Sequence, residues 1–222
     1  FKKDMSTHFI YMKSMETATE ISVIITTKNE ARHIASCIRS IEDQTLASEQ
    51  IELIIVDNNS SDKTKEIAYK FTNHVYNIGP ERSAQRNFGM TLARSPIVVY
   101  LDADMTLSPD VLKEVLKHFG QDPEVVALYI PEIVLGHNLL SQIRNFERSF
   151  YHGTVIDCVR AVRKTVFETT GGFDETLTGP EDWDFDKRVR SSGRVDIISS
   201  PLFHDEGEVE IKTYLRKKAY YA

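Results

Sequence analysis

Between Ile21 and Leu116, short apolar runs alternate with helical periodicities, and this alternation constrains the fold more than any other feature of the chain. The runs are Ile21-Ser22-Val23-Ile24-Ile25, Ile51-Glu52-Leu53-Ile54-Ile55-Val56, a short one around Val75, and Ile97-Val98-Val99-Tyr100-Leu101. Short, nearly continuous apolar runs suit strands buried on both faces. Between them Ala31, Ile34, Ile38 and Ile41 recur at helical spacing, Ile67, Ala68 and Phe71 mark a second helix, and a third runs from about Ser83 to Ala93. A fourth starts at Pro109, a residue suited to a first helical turn, and carries Val111, Leu112, Val115 and Leu116. The order β-α-β-α-β-α-β-α predicts an α/β fold with a mainly parallel central sheet flanked by helices.

The second half is less regular. Val125 to Ile130 reads as a strand, Asn138 to His152 as an amphipathic helix, and Val155 to Val162 as a mixed strand containing Cys158. Gly171-Gly172-Phe173-Asp174 is a sharp turn, Glu181 to Ser191 a helix, and Val195 to Ile198 a strand. Cys37 falls in a helical pattern, and two cysteines so far apart suit buried thiols better than a disulfide scaffold or zinc cluster. The formal net charge of −6 speaks against bulk attraction to nucleic acid. No apolar run of about 18 residues occurs, so no bilayer-spanning helix is predicted within the sequence. The start at Phe1 rather than Met suits a fragment of a longer protein, which leaves a membrane segment past Ala222 open.

In open parallel sheets, ligands bind beyond the carboxyl ends of the strands. Three polar clusters lie at such ends: Thr26-Thr27-Lys28-Asn29-Glu30, Asp57-Asn58-Asn59 and Asp102-Ala103-Asp104. Asp102 and Asp104, two apart after a buried strand, offer two carboxylates on one side, a hard oxygen site suited to Mg²⁺ or Mn²⁺. An acidic turn capping the next helix would have the same spacing. Asp57 fits either an Asx-type turn or an acceptor for a nucleobase or ribose, and Thr26 and Glu30 pose the same choice. Arg82, near a helix N-terminus, suits either an anionic ligand or a solvated loop.

Further on, Gly179-Pro180 opens into Glu181-Asp182-Trp183-Asp184, an acidic first helical turn holding the only Trp of the chain. Acids there compensate the helix dipole, and one of them could also act as general base toward a hydroxyl acceptor. Trp183 fits a sugar face or the core. His204-Asp205-Glu206-Gly207 follows the last strand, where a histidine beside carboxylates could complete a metal site.

These segments, in this order, resemble the glycosyltransferase 2 family, whose members are inverting enzymes of the GT-A, Rossmann-like nucleotide-diphospho-sugar transferase fold. The resemblance rests on SVIITTKNE, IELIIVDNNSSDKT, RSAQRNFGMTLARSPIVVYLDADMTLSPDVL and GGFDETLTGPEDWDFDKRV, and it covers roughly Ile21 to Tyr221. It implies a catalytic domain over residues 21–222 after an N-terminal extension of residues 1–20. That domain divides into a nucleotide-binding half at 21–120, an acceptor half at 121–208 and a basic, aromatic C-terminal helix at 209–222. The resemblance also implies residue roles. Thr26, Glu30 and Asp57 would hold base and ribose, Arg82 would lie near the nucleotide, and Asp102 would contact the ribose or a metal-bound water. Asp104 and His204 would hold Mn²⁺ or Mg²⁺, and Asp182 would be the catalytic base, with Glu181 and Trp183 beside it toward acceptor or sugar.

The donor it implies is a UDP- or GDP-linked sugar, and the acceptor a saccharide or a lipid-linked group. The chain has Thr26-Thr27-Lys28 where the family often has Pro-x-Tyr, so the base-stacking partner and the preferred nucleotide stay open. Two rivals remain. A nucleotidyltransferase of similar design would release pyrophosphate, and the absence of a Gly-rich loop after the first strand counts against it; the other is a catalytically silent nucleotide-sugar-binding module. A cytoplasmic location is expected. The tail at 209–222 fits either an amphipathic helix at the cytoplasmic face of a membrane or a solvated helix with a packed tyrosine face.

Overall fold

The computed structural model describes residues 19–136, 138–151, 153, 154, 157–205 and 207. The tail at 209–222 and most of the N-terminal extension lie outside the described residues, as do His152, Val155 and Glu206.

The alternating half forms β1 (Ile21–Thr27), α1 (Ile34–Glu42), β2 (Ile51–Asp57), α2 (Thr64–Ala68), β3 (Val75–Asn77), α3 (Arg82–Leu92) and β4 (Ile97–Asp102). Then come β5 (Met105–Leu107), α4 (Val111–Gln121), β6 (Val125–Tyr129), β7 (Glu132–Val134), α5 (Leu139–Ser149), β8 (Ala161–Arg163), α6 (Lys164–Thr170), α7 (Glu181–Arg190), β9 (Arg194–Ile197) and β10 (Leu202–His204). Seven strands make the central sheet in the order β3-β2-β1-β4-β8-β6-β9. β8 runs antiparallel to both its neighbours, while β1, β2, β3 and β4 pair in parallel, as do β6 and β9. This is α/β architecture with a mostly parallel sheet flanked by helices.

All seven residues of β1 are buried because helices cover both faces of the sheet. One apolar layer joins Ile25, Ile34, Ile38, Leu101 and Val115 beneath α1 and α4. The other joins Ile24, Met90, Tyr100, Phe173 and Phe185 beneath α3, α6 and α7. The sequence Arg86-Asn87-x-Gly89 on α3 has a distinct task at each position. A Cβ on Gly89 would lie 2.6 Å from Ile24 Cγ2, so glycine lets α3 press directly onto β1. Asn87 clips the Gly171-Gly172 turn to α3: its Nδ2 donates to the Phe173 carbonyl (2.9 Å), and its Oδ1 accepts from Phe173 N (2.9 Å). That turn ends α6 with two left-handed residues, φ 82° at Gly171 and 69° at Gly172.

One sequence expectation needs correction. Of the strand expected from Val155 to Val162, residues 157–160 are irregular chain and β8 begins at Ala161, with Cys158 in the left-handed region at φ 56°. Both cysteines are nonetheless free and buried. Asn138 does cap an amphipathic helix, by accepting from Ser141 N. The apolar stripe of that helix, however, faces outward, with Leu139, Ile143, Phe146 and Phe150 all exposed. A second, three-stranded sheet, β5-β10-β7, stands beside the carboxyl end of β4 and has no counterpart in the sequence pattern. Among the described residues, no helix is long and apolar enough to cross a membrane.

Candidate active site

The register of the sheet brings the polar strand ends together. Thr27 pairs with Asp57 and Thr26 with Asp102, so β1, β2 and β4 finish level. Beyond them opens a cleft of about 600 Å³, and Thr26, Glu30, Arg82, Asp102, Asp104 and His204 all line it. Asp57, Glu181, Asp182 and Trp183 are not on its wall. The Asp57 carboxylate is fully buried and accepts from Ser60 N (2.8 Å) and Ser60 Oγ (2.5 Å), which favours the turn-forming alternative for this residue. Glu30 holds His33 Nδ1 at 2.7 Å, and this brings His33 to the cleft as well.

The two aspartates of the Asp-x-Asp motif sit in different surroundings. Asp102 accepts from Thr26 Oγ1 (3.0 Å) and faces three arginines: Arg86 at 3.2 Å, Arg160 at 3.7 Å and Arg82 at 3.9 Å. Burial works against its charge, but the arginines, Arg86 foremost, outweigh burial and hold the carboxyl far below the usual carboxylate range. Asp104 lies beside a histidine instead. Its Oδ2 lies 3.1 Å from His204 Nε2, while its Oδ1 is buried with no hydrogen-bond partner among the described residues.

His204 also donates from Nδ1 to Glu132 Oε1 (2.7 Å). Burial lowers the His204 pKa, yet the hydrogen bonds to Asp104 and Glu132 prevail and push it up to about 10. An orphaned carboxylate oxygen beside an imidazole is a donor set that fits a divalent cation of the Mn²⁺ type. Among the described residues, no three His, Cys, Asp or Glu side chains are already gathered as a preformed metal cage. A cation would therefore displace the His204 proton and draw in water or ligand oxygens.

On the other side of Asp102, Arg86 is completely buried and lies over the rings of Tyr100 (5.1 Å) and Phe173 (5.0 Å). Its Nη1 donates to Asp182 Oδ1 at 2.5 Å. Glu181 is occupied differently. It accepts from Gly179 N (2.6 Å) and lies 3.3 Å from Arg82, so it anchors the turn and the arginine. Trp183 is 49% exposed, which removes the core-filling alternative.

Arg86, Arg160, Glu132 and His33 belong to this site, and sequence reasoning gave none of them a role. Arg86 left a signal, since it lies within the Arg-Asn-x-Gly helix. Arg160 sits in irregular chain just before β8 and left none.

Residues 22–171 match the model of glycosyl transferase family 2. The chain belongs to this family. Among curated family relatives, the minor teichoic acid biosynthesis protein GgaB of Bacillus subtilis is 28% identical over 73% of this chain and 20% of its own length. The pre-mycofactocin glycosyltransferase of Mycobacterium tuberculosis is 25% identical over 91% of this chain and 46% of its own length. The chain thus spans less than half the length of these relatives.

Similar folds occur in S. aureus TarS 1-349 in complex with UDP-GlcNAc, with a TM-score of 0.69, 20% identity, 87% of this chain and 60% of that one. They occur also in the mannosyltransferase PcManGT of Pyrobaculum calidifontis in complex with GDP-Man and Mn²⁺, with a TM-score of 0.70, 19% identity, 96% of this chain and 66% of that one. These neighbours share the GT-A fold with this family member.

Proposed function

We propose that this chain is the catalytic domain of an inverting, metal-dependent glycosyltransferase that moves a sugar from a UDP- or GDP-linked donor to a hydroxyl acceptor. The observation that carries this reading is the division of two carboxylates to either side of Asp102. Asp104 keeps an unpartnered oxygen beside His204, and Asp182 stands on the far side of Asp102, tied to it through Arg86. The donors named for TarS and PcManGT, and the Mn²⁺ named for the latter, support the choice of nucleotide sugar and ion class.

In this reading Thr26, Glu30 and Arg82 line the place of the nucleotide, and Asp57 keeps the loop beneath it in shape. Asp104 and His204 would hold the cation, which supplies neutralisation of the charge that develops on the leaving diphosphate. Asp182 accepts the proton of the acceptor hydroxyl. The acceptor oxygen bonds to the anomeric carbon from the face opposite the diphosphate, the bond from that carbon to the diphosphate oxygen breaks, and a nucleoside diphosphate departs. Arg86 fixes the Asp182 carboxylate for this step, and the exposed Trp183 beside it offers a ring face for a sugar to stack on.

Product analysis tests the proposal. Incubation with UDP-GlcNAc or GDP-mannose, Mn²⁺ and candidate acceptors should release nucleoside diphosphate and give a product of inverted anomeric configuration by NMR. Release of pyrophosphate, or retained configuration, would sink it.

A further inference from the structure

Glu132 is a buried carboxylate shared between His204 and Arg148. It lies on β7, 2% exposed, and nothing in the motif pattern marks it. β7 and β10 pair in parallel with Glu132 opposite Leu202 and Val134 opposite His204. Glu132 is therefore diagonal to His204 across the pair, and residues two apart on neighbouring strands share a face. Its Oε1 accepts from His204 Nδ1 at 2.7 Å, and its Oε2 is ion-paired with Arg148 Nη2 on α5 at 2.7 Å. Arg148 in turn lies 3.8 Å from the fully buried Asp157. A chain of contacts thus runs from α5 through Arg148, Glu132 and His204 to Asp104.

We propose that Glu132 is a positioning residue for the cation site, which fixes the His204 ring so that Nε2 faces Asp104, with Arg148 of α5 holding Glu132 in turn. This rests on the reading above that Asp104 and His204 hold the cation. A histidine ligand is oriented by the hydrogen bond at its other nitrogen, and loss of such a partner weakens metal binding by about 10–100-fold. Glu132 and Arg148 need not touch donor or acceptor. Their effect passes through the imidazole.

The test is Mn²⁺ titration followed by electron paramagnetic resonance of the free ion, on the whole chain without donor, for wild type, Glu132→Gln, Arg148→Met and Glu52→Gln. Glu52 is a buried, hydrogen-bonded glutamate toward the opposite end of β2, so E52Q controls for general loss of stability. The expected result is Mn²⁺ affinity weakened about 10–100-fold in E132Q, weakened by less but by more than about twofold in R148M, and unchanged in E52Q. E132Q or R148M, folded by its thermal melt, binding Mn²⁺ within about twofold of wild type would overturn the inference. Should E132Q fail to fold, R148M alone decides. Equal weakening in E52Q would overturn it too, by reducing the effect to stability. A wild type that binds no Mn²⁺ defeats the cation reading itself, an outcome distinct from a wild type that binds and variants that do not differ.

Discussion

Arg86 donates to Asp182 at 2.5 Å through Nη1 while its Nη2 lies 3.2 Å from Asp102. One buried guanidinium thus joins the end of β4 to the start of α7, the two segments whose acids the proposed function assigns to donor and acceptor. Its charge is stabilised there: burial disfavours it, but Asp182 and Asp102 outweigh burial and raise its pKa further above the ordinary arginine value. Removing one partner of a buried ion pair costs about 3–5 kcal/mol, since the other charge is left uncompensated. Arg86→Met should therefore lower unfolding free energy by about that amount in urea denaturation. Arg86→Lys should lower it by less, because an ammonium keeps the charge but lacks the fork that reaches both acids.

Asp182→Asn keeps a hydrogen-bond acceptor for Arg86 but cannot take a proton at the acceptor step. Turnover should fall by about 10²–10⁴-fold with the donor dissociation constant unchanged. Steady-state kinetics alongside donor titration would check this, and wild-type turnover in the variant would remove Asp182 from the chemistry.

Gly89→Ala places a methyl group 2.6 Å from Ile24 Cγ2, against a side chain that is itself fully buried. Overpacking of this kind costs about 1–3 kcal/mol. Because α3 also carries Arg86, the shift should reduce turnover as well as melting temperature. A variant with lowered melting temperature and full activity would show that α3 and the site move independently.

Glu52 predicts a pH dependence. Burial raises its pKa, but the backbone N–H of Arg94, the Ser22 hydroxyl and the Arg94 guanidinium together lower it below the ordinary value. A carboxyl depressed in the folded state adds stability above the unfolded pKa, about 4.3, and that stability is lost as pH falls through the folded value. Glu52→Gln should therefore destabilise the chain at pH 7, and the difference between the two proteins should shrink as pH falls below about 4.3. Parallel stability curves across that range, from urea melts, would contradict the assignment.

Much of this was legible in the sequence because the first half obeys strong periodicities. The apolar runs at Ile21, Ile51 and Ile97 leave few alternatives to buried strands, and strand ends in parallel sheets place Thr26, Asp102 and Asp104 together without further information. The three-residue strands β5, β7 and β10 were not legible, since a span that short shows no period and its pairing is long-range. For the same reason Glu132 and Arg160 carried no signal, as their roles come from partners far away in sequence. Asp57 and Trp183 show the opposite case. Their residue types permitted two roles each, and only burial separates them: Asp57 is wholly enclosed by its turn, while Trp183 stands half in solvent.

The most direct measurement is calorimetric titration of UDP-GlcNAc and GDP-mannose into the wild-type chain and Asp104→Ala, each with and without Mn²⁺. The prediction is that one donor binds wild type more tightly when Mn²⁺ is present, and that this gain vanishes in D104A while the variant remains folded. An Mn²⁺ gain of the same size in D104A would contradict the central claim that Asp104 anchors the cation and, through it, the donor diphosphate.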